Sequence, residues 1–536
     1  MSDRPRVAYF CMEFALHKDL PIYAGGLGVL AGDYLKSAHD LGLPVVGVGI
    51  LWQKGYTRQL IDGDGRPYDS YPALETDCVR DTGVRVTVTI KGRQVVCRVS
   101  VVDCYGNAPL FLLDVNLPEN EERWLTDRLY GGSGDDRIAQ EIILGVGGLR
   151  ALRALGIQAD VFHFNEGHAV LAGIELIREK MARGRSFAQA WHATREEVVF
   201  TTHTPVPAGN EVHHLGALRY VGAFNGLSHE EMAAIGGDPF NMTVAGLRLS
   251  RIANAVSQLH AETARTMWAG VENGARIIAV TNGVHAGTWQ DPALAEAFAG
   301  GGDLLGPHQA AKEALLSLVE QRTGQSLRGG LLIGFARRAA PYKRGDLLFT
   351  RPEIIEPMLA AGRVKLIYAG KAHPDDGHGR EMVARMVRIA RQYANAVAFL
   401  EDYDLTLGQA LTRGCDLWLN NPRRPMEASG TSGMKAALNG VLNLSVLDGW
   451  WPEGCRHGVC GWQFGDAAPH DDAEDAAKLY AVLREEVLPV FEGDRAGWLR
   501  MMRESIKMAG SFTAERMVKE YYEKLYRREH AAQASA

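Results

Sequence analysis

The stretch EASGTSGMKAALNG, residues 427–440, sets a single lysine, Lys435, behind a run of small hydroxyl residues and glycines. Thr431, Ser432 and Gly433 stand immediately before a short helical pattern, and unpaired amides at a helix start suit a phosphate. Lys435 is expected in the first turn, where the positive end of the helix disfavours an ammonium and desolvation lowers its pKa further, a setting for Schiff-base formation. A phosphate-bearing aldehyde cofactor fits both features; an ordinary surface lysine fits the sequence as well. A second cluster, GFARRAAPYKRGDLL, gathers Arg337, Arg338, Lys343 and Arg344 after an expected strand. It reads as an anion clamp of guanidinium forks and a lysine point charge, or else as a solvated face. YAGGLGVLAGDYLKSAHDLG puts Gly25, Gly26 and Gly28 before a helical pattern, a third anion-suited start or a plain tight loop. Its glycine order is not the dinucleotide fingerprint, and no acidic ribose partner follows, which argues against a nicotinamide enzyme. HFNEGHAV and TTHTPVPAGN add His163, Asn165, Glu166, His168 and His203. These types suit metal binding, catalysis or the hydroxyls of a sugar, and each singly also suits holding a loop.

The elements that must position these residues read as α/β. Short apolar runs such as RVAYF, LPVVGVGILW, ADVFHFN, EVVFTTHTP and ARIIAVTNGV alternate with longer segments of helical period, and GLLIGFARR, VKLIYAG, AVAFLEDY and CDLWLNN repeat the style. VRVTVTIKGRQVVCRVSVVDC differs: Val84, Val86, Val88 and Ile90 alternate with polar residues, and Lys91-Gly92 turns the chain back, predicting an antiparallel hairpin added to a parallel sheet. A Gly- and Pro-bearing stretch near GTWQDPALAEAFAGGGDLLGPHQ suggests a hinge, dividing the chain into 1–293 and 294–536. The expected fold is therefore two doubly wound Rossmann-like domains facing a central cleft, with ligands at strand carboxyl ends. FTAERMVKEYYEKLYRREH is expected as a terminal helix of the second domain.

A net charge of −6, with 46% hydrophobic and 23% charged residues, lacks the basic excess of a nucleic-acid binder. No stretch reaches the length of a membrane span and no basic segment with an apolar core opens the chain, so a cytoplasmic protein is expected. The seven cysteines are odd in number and scattered, and read as reduced thiols. CRHGVC, with His457, matches no zinc pattern, and no metal is expected.

The order of GGLGVLAGDYL, MTVAGLRLSRIANAVSQLH, TNGV, YKR, FLEDY and EASGTSGMKAALNGVLNLSVLDG resembles the α-glucan phosphorylases (glycogen, starch and maltodextrin phosphorylase), and most closely their short prokaryotic branch. The resemblance covers most of the chain. It implies a glycosyltransferase fold of the GT-B type and pyridoxal 5'-phosphate carried on Lys435, with catalysis resting on Lys435, Arg338 and Lys343. It implies cofactor contacts from Thr431, Ser432, Gly433, Tyr403, Arg337, Lys343 and the glycine loop at Gly25 and Gly26. Substrate phosphate is expected at Gly26 and Arg338, and the glucosyl unit at Glu427, Ser429, Gly430 and Leu27; Asn165 and His168 are expected near the sugar from their residue types, not from the resemblance. The partners implied are an α-1,4-glucan and inorganic phosphate, with room for a homodimer. The activity implied is reversible phosphorolysis of the terminal linkage to α-glucose 1-phosphate with retention.

Three positions depart from the family pattern. Arg251 replaces a sugar-contacting histidine and is expected at the substrate, Ala340 replaces a histidine between the basic residues, and Asp404 replaces an arginine. A carboxylate at 404 would repel phosphates, so it is expected to pair with Arg337, Arg344, Arg423 or Arg424. Two alternatives share the fold: a nucleotide-sugar glucosyltransferase, which needs no lysine-bound aldehyde, and an inactive glucan-binding regulator.

Overall fold

The computed structural model describes residues 4–206, 209–465 and 471–527. It divides into two compact units, one of Met1–Tyr56, Tyr71–Thr281 and Ala514–Ala536, the other of Thr57–Ser70 and Asn282–Thr513.

The first unit is built on a nine-stranded sheet: β1 (Val7–Phe10), β2 (Val45–Ile50), β3 (Arg80–Ile90), β4 (Arg93–Val102), β5 (Leu110–Asp114), β6 (Val161–Asn165), β7 (Val198–Thr201), β8 (Ile252–Ala255) and β9 (Arg276–Ala279). Their order is β9-β8-β7-β6-β1-β2-β5-β4-β3. Every pair from β9 to β5 is parallel, while β3, β4 and β5 pair antiparallel. The parallel strands are almost continuously apolar because both faces are covered, whereas β3 alternates buried and exposed residues as a strand with one wet face must. Lys91 (φ 50°) and Gly92 (φ 78°) both take the left-handed backbone that a two-residue hairpin turn demands.

That hairpin corrects the cysteine expectation. Register Arg80↔Val101 brings the residues beyond each strand end together, and Cys78 and Cys104 form a disulfide with Cα atoms 6.1 Å apart. Among the described residues the other five cysteines are free.

The second unit carries a six-stranded, all-parallel sheet: β10 (Leu331–Ala336), β11 (Val364–Ala369), β12 (Val397–Leu400), β13 (Leu417–Asn420), β14 (Leu442–Val446) and β15 (Gly461–Phe464), in the order β12-β11-β10-β13-β14-β15. Its helices bury Leu, Ile, Met and Trp side chains against the sheet faces.

The division between units falls elsewhere than the expected 293/294. It lies at Thr281/Asn282. Residues 57–70 belong to the second unit because Gln59 exchanges hydrogen bonds with the backbone of Ala372 (3.1 and 2.9 Å) and Ile61 N–H donates to Glu401. The terminal helix exists as Ala514–Tyr521, but Met517, Val518, Tyr521, Leu525 and Tyr526 bury into the core of the first unit. The buried His163 bonds the Tyr526 hydroxyl (2.8 Å) and Thr201 (2.7 Å), and Tyr526 bonds Tyr34 (2.8 Å), tying that segment to β1, β6 and β7. No helix among the described residues is long and apolar enough to cross a membrane.

Candidate active site

In the second unit, β13 ends at Asn420 and the chain runs through a loop to the helix Thr431–Leu438. Gly430, at φ 83°, supplies the left-handed turn that starts this helix. Gly433 must lack a side chain: a Cβ there would lie 2.6 Å from Asn443 Oδ1 and 3.1 Å from Trp450 Nε1. The closeness brings the helix start against β14. Ser432 Oγ accepts from Trp418 Nε1 at 3.2 Å.

Lys435 is the fifth residue of the helix and so opens its second turn rather than lying in its first. Helical side chains lean towards the N-terminus, which directs it back along the Thr431 end. It is 7% exposed, with Nζ 3.8 Å from the ring centroid of the buried Trp289. The amine is therefore held against an aromatic face inside the protein and is not that of a surface lysine.

Glu427 lies a few residues upstream. Its carboxylate is paired with Lys343 Nζ and lies 3.6 Å from Arg337. Burial works against its charge, but Lys343 and Arg337 outweigh that and hold its pKa below the usual carboxylate range. The backbone of Glu427 is fixed by Asp448, which follows β14: Asp448 accepts from Glu427 N–H and Gly449 N–H, both at 2.9 Å.

The basic loop after β10 divides in two. Arg337 is buried, packs 4.8 Å over Phe335, donates to Asn420 Oδ1, and leaves Nε without a partner. Burial lowers its pKa, so an anion there would be favoured. Arg338 is exposed and Lys343 faces Glu427. Arg344 instead serves the fold, spanning Asp472 (3.0 Å), Asp475 (2.6 Å) and the carbonyls of Asn421 and Pro422. Thus Arg337, Lys343, Glu427 and Asn420 converge, and Lys435, Trp289 and Gly433 line the neighbouring helix start.

Tyr403 sits before the helix Leu405–Gly414, its pKa pushed to about 12 by burial. Among the described residues, Asp404 does not pair with a basic side chain as expected. It is the N-cap of that helix, accepting from Leu407 N–H at 2.8 Å, and the helix start compensates its charge. Ala340 is buried at the turn before Pro341.

In the first unit, the helix Gly26–Asp40 begins at Gly26, with Leu27 half-buried behind it. No neighbour lies within 4 Å of a Cβ built on Gly25 or Gly26, leaving open space before the first-turn amides. The Gly25 amide, however, is already engaged, donating to Glu13 at 3.1 Å. Asn165 is fully buried between Cys11 Sγ (3.3 Å) and His203 Nε2 (2.6 Å), so it holds two loops together. His168 lies 3.8 Å from Glu211, and burial drives its pKa to about 3, keeping it neutral. Arg251 has a fold role that replaces its expected place at the substrate: its guanidinium donates to the carbonyls of Leu525, Tyr526 and Glu196, closing the carboxyl end of the last helical segment.

Trp289, Asp448 and Asn420 were not legible as site residues. Their only signal was that Asn420 and Asp448 are polar residues closing the apolar runs of LWLN and SVLD.

The model of the carbohydrate phosphorylase family matches residues 309–452, a segment that includes the basic loop, Glu427 and Lys435. The chain is 38% identical to maltodextrin phosphorylase of Thermococcus litoralis and 41% identical to glycogen phosphorylase of Mycobacterium tuberculosis, over 97% of this chain and 70% of each relative. It is 35% identical to glycogen phosphorylase of Aquifex aeolicus, over 97% of this chain and 86% of that protein. With identities of this size across nearly its whole length, the chain belongs to the carbohydrate phosphorylase family.

Proposed function

We infer that the protein is an α-1,4-glucan phosphorylase of the GT-B type. Inorganic phosphate cleaves the terminal linkage of a glucan and releases α-glucose 1-phosphate with retention. The observation that carries this is the buried lysine on a glycine-started helix beside a buried Arg337–Lys343–Glu427 cluster, in a chain similar along its length to proteins named glycogen and maltodextrin phosphorylase.

The residues present fit pyridoxal 5'-phosphate. Lys435 supplies a buried amine, Gly433 a close-packed helix start, and Arg337 an unpartnered buried Nε. Lys435 would hold the cofactor's aldehyde end; Thr431, Ser432, Gly433, Tyr403, Arg337 and Lys343 would hold the rest. When bound, this cofactor supplies a phosphate group to the reaction, not its ring.

The protein's own groups do the remainder. Arg338, exposed beside Arg337, is assigned to the substrate phosphate, and Lys343 neutralises the charge of crowded anions. Glu427, with Ser429 and Gly430, accepts sugar hydroxyls, its backbone held by Asp448. Gly26 and Leu27 keep the anion and sugar roles that the family resemblance implies, whereas the Gly25 amide is taken up by Glu13. In the chemical step the bond between C1 of the terminal glucosyl unit and O4 of the remaining glucan breaks. The substrate phosphate gives its proton to the leaving O4 and forms the new C1–O bond on the same face. Because phosphate is both acid and nucleophile, no pair of hydrolase carboxylates is required.

The test is a glucan incubated with inorganic phosphate. Phosphate-dependent release of glucose 1-phosphate is expected, and no glucan extension from a nucleotide-glucose donor. Extension from the nucleotide sugar without phosphorolysis would establish the competing transferase.

A further inference from the structure

The loop that opens the helix Gly26–Asp40 is not a free-standing turn. Glu13, three residues beyond β1, is 3% exposed and directs one carboxylate oxygen at the loop backbone: Oε2 accepts from Ala24 N–H (2.6 Å) and Gly25 N–H (3.1 Å). Its other oxygen, Oε1, accepts from the Tyr130 hydroxyl at 2.8 Å. Tyr130 is itself constrained. It adopts φ 59°, a left-handed backbone that costs a non-glycine residue energy and persists where the surroundings impose it. Its ring lies under the Arg137 guanidinium (4.8 Å), which is anchored on Glu211 (2.9 Å). The backbone alongside is tied in step, with Phe14 N–H donating to Ile22 and Ala15 N–H to Gly28. Gly28 leaves room for the arrangement, since a Cβ there would lie 2.7 Å from Glu13 Oε2.

We propose that Glu13, oriented by Tyr130, is the positioning residue of the glycine loop, presetting the amides from Gly26 onward for the phosphate of the substrate. The inference rests on the phosphorylase reading above. Two of the loop's N–H groups are consumed by Glu13, so the anion meets only those of the helix's first turn, which have no acceptor within the helix. Fixing the loop beforehand spares the ordering cost when phosphate binds. A competing role gives the opposite sign: if the carboxylate itself fills the anion position, removing its charge must tighten phosphate binding.

Glu13→Gln keeps an acceptor oxygen for the amides but weakens both bonds and turns an N–H₂ towards Tyr130; Tyr130→Phe removes only the orienting hydroxyl. In the purified full-length protein, both the Kd for inorganic phosphate by titration calorimetry and the phosphate KM in phosphorolysis are expected to rise about 5- to 10-fold in Glu13→Gln. About 3-fold is expected in Tyr130→Phe, with the glucan KM within twofold and the pyridoxal absorbance retained. Tyr130→Phe decides the matter if Glu13→Gln does not fold. Unchanged or tighter phosphate binding in the folded variants, or an equal rise in glucan KM, overturns the proposal. A wild-type protein that binds phosphate without phosphorolysis overturns the functional reading, and the phosphate Kd of the variants still judges Glu13.

Discussion

Asp448→Asn tests how the Glu427 loop is held. The Asp448 side chain is fully buried and its two oxygens take one N–H each, from Glu427 and Gly449. Burial first, and then the charge of Glu427, push its pKa from 3.8 up to about 7. The folded protein therefore holds this proton more tightly than the unfolded chain. The stabilisation is fully present below about pH 4 and is lost as pH rises through about 7. At 1.36 kcal/mol per unit the whole effect is about 4 kcal/mol, of which about 2–3 kcal/mol falls between pH 5 and 8. Asparagine cannot ionise and lacks this slope. It also offers one oxygen to two N–H groups, so one of them faces an amide donor at every pH, costing about 1–3 kcal/mol. The variant should melt below wild type at pH 5, and the gap should narrow or reverse by pH 8. At roughly 2–4 °C per kcal/mol for a unit of this size, the change in gap is on the order of 5 °C or more. Calorimetric Tm values of both proteins across pH 5 to 8 measure it, and a constant gap would refute the account of Asp448 as a buried, proton-binding scaffold.

Other perturbations separate the site from the fold. Arg338→Ala should cost on the order of 2–4 kcal/mol in kcat/KM for phosphorolysis, with Tm unchanged; unaltered kinetics would remove Arg338 from the site. Arg251→Ala should lower thermal stability by about 2–4 kcal/mol through three lost carbonyl bonds while glucan KM stays put, and a raised KM with unchanged Tm would return Arg251 to the sugar. Asp404→Ala should cost about 1 kcal/mol of stability as a lost N-cap, and Asp404→Asn almost none. Neither should alter phosphate KM by more than twofold, and a tenfold tightening would place the carboxylate at the anion.

The strands were legible where apolar β-branched runs end in polar loops, as at VAYF, VFHFN and LLIGFA, because parallel strands buried on both faces need such runs. Ile252–Ala255 was not, since its IANA sequence has neither alternation nor bulk. The Val84–Ile90 alternation and Lys91-Gly92 disclosed the hairpin, but the Cys78–Cys104 bond emerges only from its register. The terminal helix was visible as a period, yet its docking on the first unit depends on Tyr526 meeting His163 and Tyr34, partners hundreds of residues earlier. In the site, local motifs showed Lys435 and the basic loop, because those chemistries are contiguous in the chain, while Glu427 was marked only by the family resemblance. Trp289 was hidden because it reaches Lys435 only through folding. Asp404 misled because its charge was weighed against absent cations, when DLTL is also a helix start.

The measurement that bears most directly on the central claim is borohydride reduction of the protein saturated with pyridoxal 5'-phosphate, followed by peptide mass mapping. A phosphopyridoxyl group on Lys435, with loss of the absorbance band and of phosphorolysis in parallel, is the predicted result. A label on another lysine, or active protein carrying no label, would contradict the account.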